Sequence, residues 1–440
     1  MGSAERPWLP QASGAALPRP TPAPFSAPSP PVPRRQTASS SPGRQPALPE
    51  GAPGGRCPSE PPREPLPAAP QQRRRSRAGP CTRRSGAWMG CRGPLLRSSE
   101  VPPGVAERFI LSGYRCPGSS AAQCLLSAFR PTNETGNFWT HFVALLVFAF
   151  CFLEPFRAPG GPLPPGPLEP FYYPLWSYCL GVCGLLAASS MAHLFNAMSL
   201  PVREICFYID YGTISAYTVG ASLAYFYYVS PPAAPEPANP SSGYPECASQ
   251  LCAVAGHAGT WFETLYVPTS CLVALFCTLA CCSTRRRCPR YRYLLRTLIF
   301  LLPFVVVSMP VFQKLWGQGG SPETGHLFLR HCLWLLASGL FNVSKAPERF
   351  SPGKFDIWGH SHQWFHCCSF MSILDELHMI RGEMELLAEG APLLSRAPTF
   401  LSTFGVMLLA LALLATIVAW FGVRAHGSHY RDQSKAQKGD

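Results

Sequence analysis

Eight apolar runs follow one another along the chain, and each is long enough, or nearly so, to cross a bilayer as an α-helix. Two prolines in the fifth run, Pro303 and Pro310, predict a kink there. The sixth and seventh runs are the most polar, because ionisable residues interrupt them, namely Arg330, His331, Asp375 and Glu376. The pattern predicts an all-α, multi-span membrane protein with spans at about 138–156, 172–195, 205–229, 260–282, 294–316, 326–343, 359–380 and 399–423.

The first hundred residues differ in composition from the rest of the chain. They hold 22 of the 50 prolines, and their 15 Arg and 5 Glu supply +10 of the total net charge of +13. Such a segment has too little apolar surface to fold alone. We predict a disordered Pro/Arg-rich cytoplasmic tail over 1–104, a transmembrane bundle over 105–425 and a cytoplasmic C-terminal tail over 426–440. An Arg-rich segment before membrane spans is typical of the side that faces anionic lipid, and we expect no nucleic-acid binding.

Basic residues in the loops predict which side of the membrane each loop faces. Residues 283–296 contain six Arg, whereas residues 230–259 contain no Lys or Arg. An eight-span arrangement with both termini in the cytoplasm places every loop that holds several basic residues on the cytoplasmic side. The sequence therefore predicts that orientation.

Polar side chains in the spans collect near one boundary of the predicted membrane region. Ionisable groups within a membrane are costly, so each of them is a functional candidate. The predicted topology places several of them within about two helical turns of the cytoplasmic boundary. They are Glu134, Asn137 and His141 at the first span, Ser189 and His193 in the second, Asp210 in the third, and His362 and His366 in the seventh.

Three of these residues are histidines that can bind one metal ion. His362 and His366 are four residues apart and share a helix face, and His193 reaches the same depth from another helix. Three histidine nitrogens with a fourth position left for water are typical of an open zinc site. Asp210 can then hold or deprotonate the water, with Ser189 donating a hydrogen bond beside it.

A plainer interpretation of the same residues needs no metal ion. Polar side chains in a membrane bundle also join helices through hydrogen bonds alone. His360 lies off the face that His366 shares with His362, so we expect it to be dispensable under the zinc interpretation.

These motifs resemble the progestin and adipoQ receptor family, relatives of the alkaline ceramidases. The matching residues are Glu134 and Asn137 in NETGNFWTH, Ser189 and His193 followed by Asp210 in DYG, and His362 and His366 in SHQWFH. The segments SGYR and APERFSPGKFD and the eighth span make the membrane progestin receptor branch, and its epsilon type, the nearest match. The resemblance covers about 105–425 and implies a seven-helix, zinc-containing core followed by a C-terminal eighth span. It assigns Zn²⁺ to the three histidines and places Asp210 close to the metal-bound water.

Two functions follow from this resemblance. The first is a plasma-membrane receptor for progesterone and related neurosteroids that signals through G proteins, with Arg285, Arg286 and Arg287 in the expected contact. The second is a zinc-dependent amidohydrolase acting on ceramide-like lipids, with Asp210 as general base and Ser189 supporting the oxyanion. An apolar bundle with a few convergent polar groups suits a lipid-like ligand, whether steroid or sphingolipid. The sequence assigns no ligand-binding residues.

Overall fold

The computed structural model describes residues 94–102, 104–157, 163, 166–230, 246–287, 291–317, 321–389 and 397–438. Within these ranges the regular elements are helices. Leu96 and Tyr114 form an isolated antiparallel β-bridge. The predicted all-α class is confirmed. Most of the predicted N-terminal tail lies outside the described residues.

Helices make up most of the described residues. Single π-helical turns lie at Tyr225–Val229 and at Leu401–Gly405. The α-helices of the described residues are α1 (Ala121–Ser127), α2 (Thr135–Leu153), α3 (Tyr173–Phe195), α4 (Leu200–Ala224), α5 (Glu246–Arg287), α6 (Arg292–Val307), α7 (Met309–Trp316), α8 (Pro322–Ser344), α9 (Ser361–Glu389) and α10 (Val406–Lys438).

Five of these helices contain stretches long and apolar enough to cross a membrane, namely α2, α3, α5, α8 and α10. The pair α6 and α7 gives a sixth candidate if it is counted as one bent span. Helices α4 and α9 cover the predicted third and seventh spans and have 25 and 29 residues, with several ionisable side chains in each. The chain is therefore a multi-pass helical membrane protein, as predicted.

Several helices extend beyond the predicted spans. Helix α5 begins at Glu246, inside the segment predicted as a loop, and α9 and α10 continue to Glu389 and Lys438. A helix satisfies its backbone hydrogen bonds internally, so it can continue into water where the apolar pattern has ended. Hydrophobic pattern alone therefore underestimates the length of these helices.

The predicted kink in the fifth span lies near Pro310 and not at Pro303. Helix α6 ends at Val307, and α7 starts one residue after Ser308 with Pro310 in its first turn, at an angle of 49°. Proline lacks the N–H that would continue the helical ladder, but it is well accommodated at the start of a new helix. Pro303 lies inside α6 without interrupting it.

Helices α3 and α4 approach each other closely at two glycines. A Cβ atom on Gly181 would lie 2.8 Å from the Cα of Tyr217, and one on Gly220 would lie 2.7 Å from the carbonyl oxygen of Ser177. Small residues allow such close packing of membrane helices. The packing holds α3, which carries His193, against α4.

Residues 94–102 and 104–118 form an N-terminal cap segment that folds against the ends of several helices. Leu96 and Tyr114 exchange backbone hydrogen bonds of 2.8 and 3.1 Å. The Ser112 hydroxyl donates to Asp356, which lies between α8 and α9. The chain is thus already folded from residue 94, before the predicted boundary at 104.

Glu107 ties this segment to basic side chains at the helix ends. Its carboxylate lies 2.9 Å from the guanidinium of Arg292 and 3.4 Å from that of Arg203, and it accepts a hydrogen bond from Tyr293. Burial alone would raise the pKa of Glu107, but the positive charges of Arg292 and Arg203 hold it below its ordinary value. Burial lowers the pKa of Lys345, whose ammonium lies 3.5 Å from the centre of the Tyr293 ring, to about 8.

Candidate metal centre

Three histidine side chains, which form the histidine cluster, meet at one end of the bundle. His193 lies in the last turn of α3, and His362 and His366 lie one turn apart at the start of α9. One ring nitrogen of each lies within 4.8 Å of the others, and the cluster is largely buried. The structure thus brings together the three residues predicted as metal ligands.

The spacing of the cluster fits a zinc ion. The Nε2 atoms of His193 and His362 are 3.2 Å apart. Two nitrogens bound to a tetrahedral zinc at 2.0–2.1 Å would be separated by about 3.3 Å. The three rings are tilted with respect to one another, so that their edges converge. Three imidazole nitrogens in a buried site are a donor set that zinc commonly takes.

Hydrogen bonds on the outer side of two rings decide which nitrogen faces the cluster. His193 Nδ1 lies 2.7 Å from Oε2 of Glu134, and a carboxylate accepts, so this nitrogen carries the hydrogen. The Thr140 hydroxyl donates to the Asn137 carbonyl oxygen and therefore accepts from His366 Nδ1, at 2.9 Å. Both rings present an Nε2 lone pair to the cluster. Carboxylate and hydroxyl partners of this kind orient metal-binding histidines.

Glu134 is the centre of the hydrogen-bond network around His193. Its carboxylate also accepts from Asn137 Nδ2 at 2.9 Å and from Asn196 Nδ2 at 2.8 Å. Arg203 lies 3.9 Å away and adds a positive charge. The predicted supporting residues Glu134 and Asn137 thus belong to one network.

His141, the third predicted supporting residue, contacts the cluster differently. Its ring stacks on His366 with the ring centres 3.6 Å apart. Its Nδ1 atom is buried and has no hydrogen-bond partner among the described residues. His141 therefore packs against a candidate ligand and stands outside the set of converging nitrogens.

Asp210 and Ser189 form a pair next to His193. The Ser189 side chain lies next to the Asp210 carboxylate, which is close enough to His193 to interact with it electrostatically. Ser189 is buried in α3, one turn before His193, and Asp210 comes from α4. Both residues lie beside the histidine cluster, where the sequence spacing predicts them.

Arg115 is a site residue that sequence reasoning missed. It reaches from the N-terminal cap segment to the end of α3 and donates to the carbonyl oxygens of His193 and Leu194, at 2.6 and 2.5 Å, and to Asn196 Oδ1 at 2.8 Å. The last carbonyl groups of a helix have no partner within it, and Arg115 supplies one. The segment SGYR contains Arg115, but nothing near it in sequence indicates contacts with residues about 80 positions away.

Two other residues about which the sequence raised expectations make contacts within the chain. His360 lies outside the cluster, but it is buried and its Nε2 is 3.3 Å from the carbonyl oxygen of Asn133, so it contributes to packing. Arg285, expected to contact a G protein, is bound to Glu204 at 2.8 Å and covers the ring of Phe207. Its side chain is 10% exposed, which leaves little of it for a partner. The side chains of Arg286 and Arg287 lie outside the described part of the chain.

Similarity to known proteins covers most of the helical part of the chain. A profile described as haemolysin-III related matches residues 129–374, a range that contains the histidine cluster. Membrane progestin receptor delta of Homo sapiens is 34% identical over 343 residues, which cover 74% of this chain and 91% of that receptor. The delta receptor of Mus musculus is 34% identical over 299 residues, covering 66% of this chain and 79% of the receptor. Membrane progestin receptor gamma of Homo sapiens is 29% identical over 333 residues, covering 74% and 92%.

Proposed function

Because this chain belongs to the haemolysin-III-related family, in its membrane progestin receptor branch, we propose that it is a plasma-membrane receptor for progesterone and related steroids. The family resemblance predicted from the motifs is confirmed, and the epsilon type stays a prediction. One observation carries the proposal: the similarity to the human delta receptor spans 91% of a protein named for a progestin. The proposal does not depend on the first hundred residues.

His193, His362 and His366 are the residues we propose to hold Zn²⁺. A bound zinc ion would supply a rigid link between α3 and α9, which are distant in sequence. Glu134 and Thr140 support this assignment, because each fixes the outer nitrogen of a ring and leaves Nε2 for the metal. In a receptor this link is structural and keeps the ends of the two helices in register.

G-protein signalling is the proposed output. A steroid can shift the balance between two helix arrangements only by binding one of them more tightly. We place the G-protein contact at the basic segment between α5 and α6 and both termini in the cytoplasm. Since Glu204 and Phe207 hold Arg285, the contact we propose there falls on Arg286 and Arg287.

A second candidate function is the hydrolysis of ceramide-like amides. The observation that favours it is the closeness of Ser189 and Asp210 to each other and to His193. In this role Asp210 would act as general base and take a proton from the attacking water, whose oxygen bonds to the amide carbon; the C–N bond then breaks and the proton passes to the leaving amine. The Ser189 hydroxyl would stabilise negative charge on the substrate carbonyl oxygen. Zinc would supply the Lewis acid that such a hydrolysis requires.

One experiment separates the two functions. The full chain is purified into lipid nanodiscs, its zinc content is measured, and it is incubated separately with radiolabelled progesterone and with ceramide. We expect saturable progesterone binding, no release of fatty acid, and nucleotide exchange on an added G protein that rises with progesterone.

The outcomes point in different directions. Release of fatty acid that Asp210→Asn abolishes, with no saturable steroid binding, would replace the receptor by the hydrolase. Exposed His378, on the same helix as two of the candidate ligands, provides the matched control variant His378→Ala.

A further inference from the structure

A second group of polar side chains lies deeper in the bundle, around a cavity of about 130 Å³ among α4, α6, α8 and α9. Its walls are largely apolar and include Phe300, Phe304 and Leu335, and they also carry the Glu376 carboxylate and the His331 imidazole. Glu376 follows His366 by ten residues on α9, a rise of roughly 15 Å along the helix axis. The cavity is therefore separate from the histidine cluster.

Glu376 is held by three tyrosine hydroxyl groups. Tyr178 donates to Oε2 at 3.0 Å, Tyr217 donates to the same oxygen, and Tyr225 donates to Oε1 at 2.9 Å. A carboxylate offers about four acceptor sites, so one remains, on Oε1. No cation pairs with Glu376 in the part of the chain that the structure describes.

His331 offers a second acceptor to the cavity. The Ser372 hydroxyl donates to the backbone carbonyl oxygen of His331, so His331 Nδ1 donates in return to Ser372, whose Oγ lies 2.8 Å away. In the neutral ring Nε2 then carries the lone pair. Ser308 also lines the cavity, and a hydroxyl group can donate or accept.

The volume limits what can enter. An apolar cavity of roughly 150 Å³ holds a benzene molecule. A cavity of about 130 Å³ therefore accommodates no more than about one six-membered ring, and the rest of a polycyclic ligand must lie outside it.

We propose that this cavity binds the terminal ring of a steroid through a hydroxyl group, which donates to Glu376 Oε1 or His331 Nε2 and accepts from Ser308. A keto oxygen at the same position can accept a hydrogen bond from Ser308. It has no hydrogen and cannot donate to Glu376 or His331. Sites built to pair with a hydroxyl group discriminate against analogues that lack it. This inference rests on the proposed steroid-receptor function and adds a preference for hydroxylated over keto terminal rings.

The test measures equilibrium binding of a 3-hydroxysteroid and of its 3-keto counterpart to the full chain in phosphatidylcholine nanodiscs. We expect the hydroxysteroid to bind about tenfold more tightly, the effect of about one net hydrogen bond. Glu376→Gln replaces an acceptor oxygen by a donor amide, and His331→Phe removes the ring acceptor. The variant that removes the acceptor used by the steroid hydroxyl group should bring the affinity ratio close to one, and the other variant should leave the ratio nearly unchanged.

Leu335→Trp and His378→Ala complete the set. The first fills the cavity without touching a polar group and should weaken binding of the hydroxysteroid by more than about tenfold, while the second alters an exposed residue and should change nothing. Thermal unfolding identifies any variant that has not folded.

Steroid binding that none of the three cavity variants alters would overturn this site and leave the receptor function standing. Equal affinity of the unaltered protein for both steroids would overturn the hydroxyl preference and with it this inference. Failure of the unaltered protein to bind either steroid would overturn both the inference and the receptor function.

Discussion

At the scale of single residues, Glu134 connects the histidine cluster to the rest of the bundle. Glu134 is 8% exposed, and its carboxylate is bound by His193, Asn137 and Asn196, with Arg203 nearby. A buried charge is tolerated only when such partners surround it. The orientation of His193 therefore depends on groups from α2, on the turn after α3 and on the start of α4.

Metal content is the prediction that belongs to this scale. Purified His193→Ala, His362→Ala and His366→Ala should each lose zinc and unfold at a lower temperature, because each removes one of the three converging nitrogens. The measurement is zinc per protein together with thermal unfolding.

Two further histidines serve as controls. His378→Ala changes an exposed residue of α9 and should keep both zinc and stability. His360→Ala should keep zinc but lose some stability, because it removes a buried contact with the Asn133 carbonyl. Equal zinc in all five variants, or none in the unaltered protein, would leave the cluster as interhelical hydrogen bonding.

Sequence analysis identified the candidate site residues whose spacing along the chain fixes their relative positions. His362 and His366 share a helix face however the helices pack. His193 was added because the predicted topology places it at the same depth in the membrane. No such spacing identifies Arg115 and Thr140, because their partners are set by how the cap segment and α9 pack. The tyrosines around Glu376 were missed for the same reason, since each is typical of an apolar span when considered alone.

At the scale of helices, α3 and α4 cross with their backbones in close contact. Gly181 and Gly220 each face the backbone of the opposite helix, so neither helix has a flexible side chain there that could move aside. Membrane helices gain stability mainly from such packing, since lipid is as apolar as the helix surface.

Gly220→Ala tests this crossing. The new Cβ would meet the Ser177 carbonyl oxygen at 2.7 Å, so the helices must separate, at a cost of about 1–3 kcal/mol for an overpacked contact. We expect a lower unfolding temperature and weaker zinc retention, because α3 carries His193. Gly184→Ala on α3 is the matched control, as nothing lies within 4 Å of its added Cβ. Equal unfolding temperatures for the two variants would contradict the packing argument.

The hydrophobic pattern predicted the order of the spanning helices. It predicted the ends and bends of the helices less accurately. Every predicted span overlaps a helix, because twenty apolar residues have few alternatives in a membrane. The start of α5 at Glu246 was missed, since its first turns are too polar to be read as a span. Pro310 and not Pro303 marks the break of α6 and α7, a choice that depends on neighbouring helices.

At the scale of the whole described chain, the segments predicted to be cytoplasmic gather on one face of the bundle. Glu107 joins the cap segment to the starts of α4 and α6, and Asp356 joins it to the loop before α9. Arg285 at the end of α5 binds Glu204 of α4, and Ala425 of α10 packs in the same region. Which side of the membrane this face meets stays a prediction from the basic residues of the loops. The histidine cluster also lies on this face.

Two truncations test whether the cap segment, rather than the longer tail before it, supports this face. Deletion of residues 2–93 should leave zinc content and unfolding temperature nearly unchanged, because the composition of that stretch predicts no packed surface.

Deletion of residues 2–118 also removes Glu107 and Arg115. Arg203 and Arg292 then lose the counter-charge of Glu107, and the end of α3 loses three hydrogen bonds. We expect this second protein to lose zinc and to unfold at a much lower temperature, and Glu107→Gln in the full chain to fall between the two, because the amide keeps the shape but not the charge. Zinc per protein and thermal unfolding in nanodiscs measure all three, and equal values for both truncations would show that the bundle holds its histidines without the cap.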